Sequence, residues 1–491
     1  MLRALLFSVT VCWAGLNLTA ATQVAVIIGG KAPALEKLAA ERLAADLRAL
    51  FAVEAAVRTS APAGAAHTIL LGSPQTNPAI PRSTWPAVSD QGHVLRSTPA
   101  GLIVGGGSPV ATLWAASELA QRLGIRPLLH GDAPPIVKPE LKLGGFNVVL
   151  EPGPRIRAWS AFLGQPHGTE SWPLADQQRL ITQLARLKFT HLIVPAQLAA
   201  FPPIAVDGDT GGRAAFKGAK SFAAPAESGL AEALARSARE HGLAVLAQAP
   251  AELRPLPLGA ANASVLPQFA LSQLATDFNA LRSAKAAGFV ASAVMPGDLN
   301  AAAYFVSRAA FDATLTARRS LDELVTPICG DGVSERLWLG FEHLEQAAKF
   351  IAANDPALGV PAPQVLLRHL NAKTAPPAWL TKVKSLYADA MNEMYRGNTR
   401  ARGGARPYIL YHAKRFEFAL HYCTALEALG NAGVATAQNK PDARADAADA
   451  ALEAIYNALN AHADVARDAS DRGVIALLNE HGYRPVGKAL R

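Results

Sequence analysis

Residues 154–195 read PRIRAWSAFLGQPHGTESWPLADQQRLITQLARLKFTHLIVP. β-favouring residues at Ile156, Ala158 and Trp159 predict a short strand, and a loop rich in Gly, Pro, His and Trp follows. Leu180, Ile181, Leu184 and Leu187 then recur at helical spacing. Phe189 to Val194 is a buried-strand pattern that stops at Pro195. Strand, loop, helix, strand is the repeating unit of a parallel sheet or a (β/α) barrel. The first strand and its loop carry Trp159, His167, Glu170 and Trp172. In a barrel the loops after the strands build the active site, and aromatic rings beside a carboxylate suit sugars.

Upstream, Gln23–Ile28 reads as a strand, Ala34–Phe51 as a helix, and Thr68–Leu71 and Leu102–Val104 as strands. Gly105-Gly106-Gly107-Ser108-Pro109 opens a helix to about Leu123, with Pro109 in its first turn. These glycines match neither a P-loop nor GxGxxG, so they predict a tight strand-to-helix turn rather than a phosphate cradle. Asp132–Leu143 is proline-rich and reads as a linker.

Downstream, a long loop (Ala196–Ala226) leads to a helix over Ser228–His241, with Ser228 a plausible N-cap. Strands are predicted at Ala244–Gln248, Val265–Leu266 and Phe289–Met295, with a helix over Leu271–Ala286 between the last two. That makes about five strands, whereas a complete barrel has eight in ~250 residues. The shortfall falls at Ala249–Ser264, so the barrel either closes differently or stays open and needs covering. From Leu321 onward the pattern is helical, with runs at Glu335–Ile351, Pro376–Tyr395, Tyr408–Leu429 and Asp442–His462.

The chain has 491 residues, half of them hydrophobic, enough for about three domains at ~100–200 residues each. Arg3, the apolar run Ala4–Leu16 and the small residues Thr19-Ala20-Ala21 form a secretory signal peptide, cut near Ala21. The run is too short to prefer a membrane span. Export predicts a periplasmic or extracellular protein without an integral membrane segment. The mature chain keeps Cys329 and Cys423, too few for a disulfide framework, and their pairing is left open. The formal charge is +8. It is spread along the chain, and export argues against a nucleic-acid partner. Attraction to acidic polysaccharide or an acidic envelope surface fits better.

VAVIIGGKAPALEKLAAERLAADL (24–47), TILLGSPQTNP (68–78) and GLIVGGGSPVATLWAASELAQRLGIRPLL (101–129) together resemble the non-catalytic α/β domain that precedes the barrel in alpha-glucuronidases and bacterial beta-hexosaminidases. VDGDTGGRAAFKGAK (206–220), MPGDLNAAAYFVSRAAFD (295–312) and LVTPICGDGVSERLWLGFEHLEQA (324–347) resemble uncharacterised relatives of the same glycosidase group. The resemblance implies an α/β protein. After the signal peptide (1–21) it has a two-layer α/β domain (22–145), an abbreviated (β/α) TIM-like barrel (146–320) and an all-α C-terminal domain (321–491).

Glycoside cleavage usually takes two carboxyl groups across the bond. The candidates are Glu170, Asp207, Asp209, Glu252 and Asp298. Asp298 is best placed, directly after an apolar strand and a Pro-Gly turn, and its bland alternative is a helix cap for the segment at Asn300. Asp207 and Asp209 alternate with Gly, which marks a solvated turn or at best a calcium-like loop, and the spacing lacks the full EF-hand pattern. Met394 to Arg415 is the densest polar stretch of the tail. Arg396, Arg400, Arg402 and Arg406 could grip a uronate, and Tyr395, Tyr408 and Tyr411 could line a subsite. The alternative is an interhelical loop anchored by its arginines.

His412 and His421 do not share a helix face, and neither HExxH nor CxxC occurs, so no metal site is expected. No other cofactor is implied, and the absence of G-x-S-x-G counts against a hydrolase-fold esterase. The leading expectation is an exported glycoside hydrolase acting on polysaccharide-derived, uronate-bearing oligosaccharides. Asp298 and Glu170 would be its carboxylates, and Trp159, His167, Trp172, Asp209, Arg213, Arg400, Arg406 and Tyr408 its sugar contacts. The second expectation is an inactive glycan-binding or scaffold descendant. A periplasmic solute-binding protein is a third, fitted poorly by the helical tail. A homo-oligomer is compatible with each.

Overall fold

The structure is a computed structural model that describes residues 22–490 except 63, 161, 163, 199–200, 207–211, 226, 260–263, 268 and 361. The expected leader lies outside the described residues. The chain begins with β1 (Gln23–Ile27), α1 (Ala34–Phe51), β2 (Glu54–Arg58), β3 (His67–Leu71), β4 (His93–Thr98), β5 (Gly101–Gly106) and α2 (Pro109–Arg122). A small hairpin, β6 (Arg126–Leu128) and β7 (Gly131–Ala133), and then β8 (Asn147–Leu150) follow. The six-stranded sheet runs β2-β1-β3-β5-β4-β8, with β1, β2, β3 and β5 parallel and β4 antiparallel to its two neighbours. Alternation sorts β1 between two cores: Val24 and Val26 join α1 and α2, while Ala25 and Ile27 join Leu70, Ile80 and Ile103 on the other face.

The glycines before α2 serve close approach. A Cβ on Gly105 would lie 1.8 Å from the Gly72 carbonyl oxygen, and one on Gly107 1.9 Å from that of Ser89. Ser108 caps α2 by accepting the Ala111 N–H at 3.3 Å.

The second sheet is built from β9 (Ile156–Ser160), α3 (Leu174–Arg186), β10 (His191–Ile193), the pair β11 (Ile204–Ala205) and β12 (Ser221–Phe222), α4 (Leu230–Glu240), β13 (Ala244–Leu246), β14 (Arg254–Pro257), α5 (Leu271–Ser283), β15 (Gly288–Ser292) and α6 (Asn300–Ala309). β11 and β12 pair only with each other. The other five strands are parallel, in the order β13-β10-β9-β15-β14. The expected barrel is therefore corrected to an open sheet: among the described residues β13 and β14, successive in the chain, are both edges. The fourth strand is not Val265–Leu266. It lies earlier, where Pro255 and Pro257 mask the strand pattern. Val265 instead donates its N–H to the Gly359 carbonyl at 2.8 Å. Ser228 does not cap α4, whose N-cap is Gly229 in the left-handed conformation.

The C-terminal region is helical: α7 (Ala317–Cys329), α8 (Val333–Asn354), α9 (Pro363–Ala372), α10 (Ala378–Arg400), α11 (Arg406–Ala437), α12 (Pro441–Ala463), α13 (Ala469–Leu478), a π-helical turn (Asn479–Tyr483) and α14 (Arg484–Leu490). α11 is its axis. It buries residues on every side, from Phe416 and Phe418 to Tyr422 and Leu426, as a helix enclosed by neighbours must. Cys329 and Cys423 are unpaired buried thiols, each pushed up to about 12 by burial. No described helix is long and apolar enough to cross a membrane.

Three of the buried histidines set the acid limit of the fold. Burial holds His93 and His462 well below the usual imidazole value and lowers His412 to about 4. Each stays neutral when folded but takes a proton in the unfolded chain below about pH 6.5. Their contribution is complete above pH 6.5 and is lost as the pH falls, at up to ~1.4 kcal/mol per pH unit each. Asp471, pushed up to about 6 by burial and by Asp468, works in the opposite sense but begins lower. Urea midpoints should therefore fall between pH 6.5 and 5.5.

Candidate functional site: the strand-end rim

The loop after β9 turns sharply at Gly164 (φ +72°) and ends in a 3₁₀ turn, Thr169–Ser171. Glu170 is buried, and its carboxylate accepts the Gly164 backbone N–H. A Cβ on Gly168 would lie 2.1 Å from Glu170 Oε2, so a side chain there would displace the Glu170 carboxylate. This loop is pressed under α13. Trp172 Nε1 donates to Ser470 Oγ at 2.7 Å, and Ser470 Oγ donates to the Gly168 carbonyl at 3.2 Å. A Cβ on Gly473 would meet the Pro166 carbonyl at 2.3 Å. The β6–β7 hairpin reaches the same point through His130, which pairs with Asp468 and packs against Trp172 with ring centroids 5.3 Å apart.

Asp298 closes the 3₁₀ turn Pro296–Asp298 after β15. It does not cap α6, whose N-cap is Leu299. Its two oxygens take a fork of hydrogen bonds from Arg415 of α11, Nε at 3.0 Å and Nη2 at 2.8 Å, and Nη2 also donates to the Val265 carbonyl at 3.0 Å. Arg415 is fully buried and Asp298 is 4% exposed. Beside them Tyr411 OH donates to Asp471 Oδ1 at 2.8 Å, and the Arg467 guanidinium stacks 3.5 Å from the Tyr411 ring centroid. The ends of the strands, where a closed barrel keeps its chemistry, are here a joint between the sheet and the helical region.

Two open cavities lie at the margin of this joint. One, about 330 Å³, is lined by Glu170, Glu227 and Glu232 among Leu198, Pro225 and Leu230. The other, about 380 Å³, is lined by Ser171, Phe216, Lys217, Phe222, Pro225 and Arg472, among others. Pro225 belongs to both.

Of the sequence candidates, Glu170 alone lines the first cavity and Asp298 lines neither. Trp159, His167 and Trp172 are buried and line neither cavity. Trp159 packs edge-on against Phe189 at 5.1 Å. Asp207 and Asp209 lie outside the described residues, and Arg213 is exposed on the 3₁₀ turn that leads to Lys217. The Met394–Arg415 stretch is not one loop: α10 runs through Arg400 and α11 starts at Arg406. Arg400 and Arg406 are exposed and Tyr408 half-buried, and none of the three lines either cavity. Sequence reasoning missed Glu227, Glu232, Lys217 and Arg472. They stand in ordinary helix-start and loop contexts, and only tertiary folding brings them to one margin. Among the described residues no group of His, Cys, Asp or Glu could hold a metal ion.

No protein-family model matches the chain, and no curated protein matches it in sequence. Solved structures do. The chain is similar to a family GH115 4-O-methyl-alpha-glucuronidase with specificity for decorated arabinogalactans, at TM-score 0.54 and 12% identity over 93% of this chain and 79% of that one. It is also similar to a GH138 enzyme targeting pectin rhamnogalacturonan II, at TM-score 0.48 and 9% identity over 90% and 93% of the two chains. A third is CpGH84D, at TM-score 0.39 and 10% identity over 95% and 96%. The first likeness is one of fold, and the architecture is a mixed α/β, glycosidase-like fold with a helical C-terminal region.

Proposed function

We propose that this chain is an exported carbohydrate-binding protein on a glycosidase-like fold, and that it holds its ligand at the Glu170 cavity without cleaving it. The observation that carries this reading is the Asp298–Arg415 pair. A carboxylate gripped by a buried guanidinium fork is neither a proton donor nor a nucleophile for a bond in a cavity that it does not line. The Glu170 cavity has the makings of a sugar site, with glutamates to accept hydroxyls and Leu198, Pro225 and Leu230 to meet C–H faces. Its described lining has no basic group, which disfavours a uronate in that position.

Hydrolysis is the second reading, favoured by Glu227 and Glu232 sharing the cavity with Glu170, since two carboxyls at suitable separation suffice for it. Calorimetry and sugar-release assays on aryl glycosides, glucuronoxylan fragments and neutral oligosaccharides separate the two. The expected result is binding without turnover, weakened roughly three- to tenfold by Glu232→Gln, as for loss of one ordinary hydrogen bond at an exposed position. Turnover that vanishes in Glu170→Gln or Glu227→Gln would establish hydrolysis instead.

A further inference from the structure

The two cavities adjoin at Pro225, and the successive residues Glu170 and Ser171 face one each. Their charges are segregated. The first cavity has three glutamates and no cation in its described lining. The second has Lys217 and Arg472 and no carboxylate. Neither cation makes a salt bridge among the described residues. Lys217 is exposed on a left-handed turn (φ +51°), and Arg472, on the half-turn of α13 that covers the rim, is half-exposed. Phe216 and Phe222, both buried, also line the second cavity and give it an apolar wall.

We propose that this groove reads a charge-alternating glycan, with an anionic sugar unit over Lys217 and Arg472 and an uncharged or aminated unit at Glu170, Glu227 and Glu232. The proposal rests on the carbohydrate-binding reading above. A guanidinium and an ammonium on one margin match a carboxylate or a sulfate ester, the guanidinium through paired N–H donors. Three glutamates next door repel a second anion, so a polymer charged on every unit is refused at the first cavity. Each cavity is of a size for a small ligand group, so the groove takes two neighbouring units.

The test is calorimetry on the whole mature chain with four tetrasaccharides. One alternates uronate with N-acetylhexosamine, one alternates sulfated with unsulfated neutral sugars, one is a homopolymer of galacturonate, and one is neutral xylose. At least one alternating ligand should bind more tightly than the homopolymer, and which of the two it is identifies the anion as carboxylate or sulfate. That binding should weaken with added salt and fall roughly three- to tenfold in Lys217→Gln and in Arg472→Gln. Both variants should leave the melting curve unchanged and weaken the neutral ligand less than the alternating one. Equal affinity for the homopolymer, or unaltered affinity for the alternating ligands in both variants, overturns the proposal while neutral-sugar binding survives. If no oligosaccharide binds, the carbohydrate reading falls and takes this one with it.

Discussion

Arg415→Ala should destabilise the protein by about 3–5 kcal/mol, as expected when one partner of a buried ion pair is removed. Asp298 would be left charged in a place that is 4% exposed, without the fork that holds it at 3.0 and 2.8 Å. Asp298→Ala should cost as much, since it strands the guanidinium with the Val265 carbonyl as its remaining described hydrogen-bond acceptor. Replacing both partners with apolar residues of similar volume should be much milder than either single change, because it removes the two desolvated charges together. Urea titrations of the singles and the double variant measure this. A stable Asp298→Ala that had lost only a sugar-cleaving activity would make Asp298 a catalytic residue and sink the proposed function.

Glu118→Gln should be comparably severe, again about 3–5 kcal/mol at neutral pH. Glu118, on α2, is fully buried and receives Lys188 Nζ at 2.6 Å, Arg308 Nη1 at 2.6 Å and Arg122 Nε at 2.8 Å. It thereby joins the six-stranded sheet's helix layer to the turn between α3 and β10 and to α6. The three cations hold its carboxyl well below the usual range although burial opposes them. The surroundings are already rich in buried cations. Arg157 has no carboxylate partner among the described residues and stacks on Trp114 and Phe311 at 4.9 and 5.1 Å. Even beside Glu118, burial pushes Lys188 down to about 8. With the countercharge gone Lys188 falls further, while in the unfolded chain it keeps its ordinary value. A base lowered in the folded state gains stability as the pH rises, so the deficit should be smaller at pH 9 than at pH 7. A deficit independent of pH would mean that Lys188 is not the charge left stranded.

The elements that were legible in the sequence are those whose burial is one-sided or continuous. α1 is bounded at Ala34 and Phe51 as its periodicity predicts, and β9, α3 and β15 lie where their apolar patterns place them. β14 was illegible because its alternate prolines imitate a loop. The linker pattern over Asp132–Leu143 hides most of β7 for the same reason, since Pro134 and Pro135 follow it, and β6, with Pro127 at its centre, gives no strand signal. The site was harder. Glu170 could be singled out from an aromatic-rich loop after a strand. Nothing local in HAKR predicts that Arg415 will cross from α11 to meet Asp298, 117 positions earlier. Trp159 and Trp172 resemble sugar platforms in sequence and are core in space, because the helical region occupies the rim that they were expected to line.

The prolines of β14 bear on what the second sheet can become. Leu258 donates its N–H to Ser292 at 3.1 Å, so by alternation Pro255 and Pro257 turn their ring nitrogens toward the vacant side. That border offers no donor at either position, and β13 opposite it is only three residues long. A seam of this kind resists zippering with a neighbouring molecule. It equally resists repair: grafting the absent β/α units between Leu246 and Arg254 would leave them only the carbonyl acceptors of Pro255 and Pro257, and no matching donors, along β14. The ring is terminated at this seam rather than merely interrupted, and re-engineering it into a closed cylinder would have to begin by replacing Pro255 and Pro257.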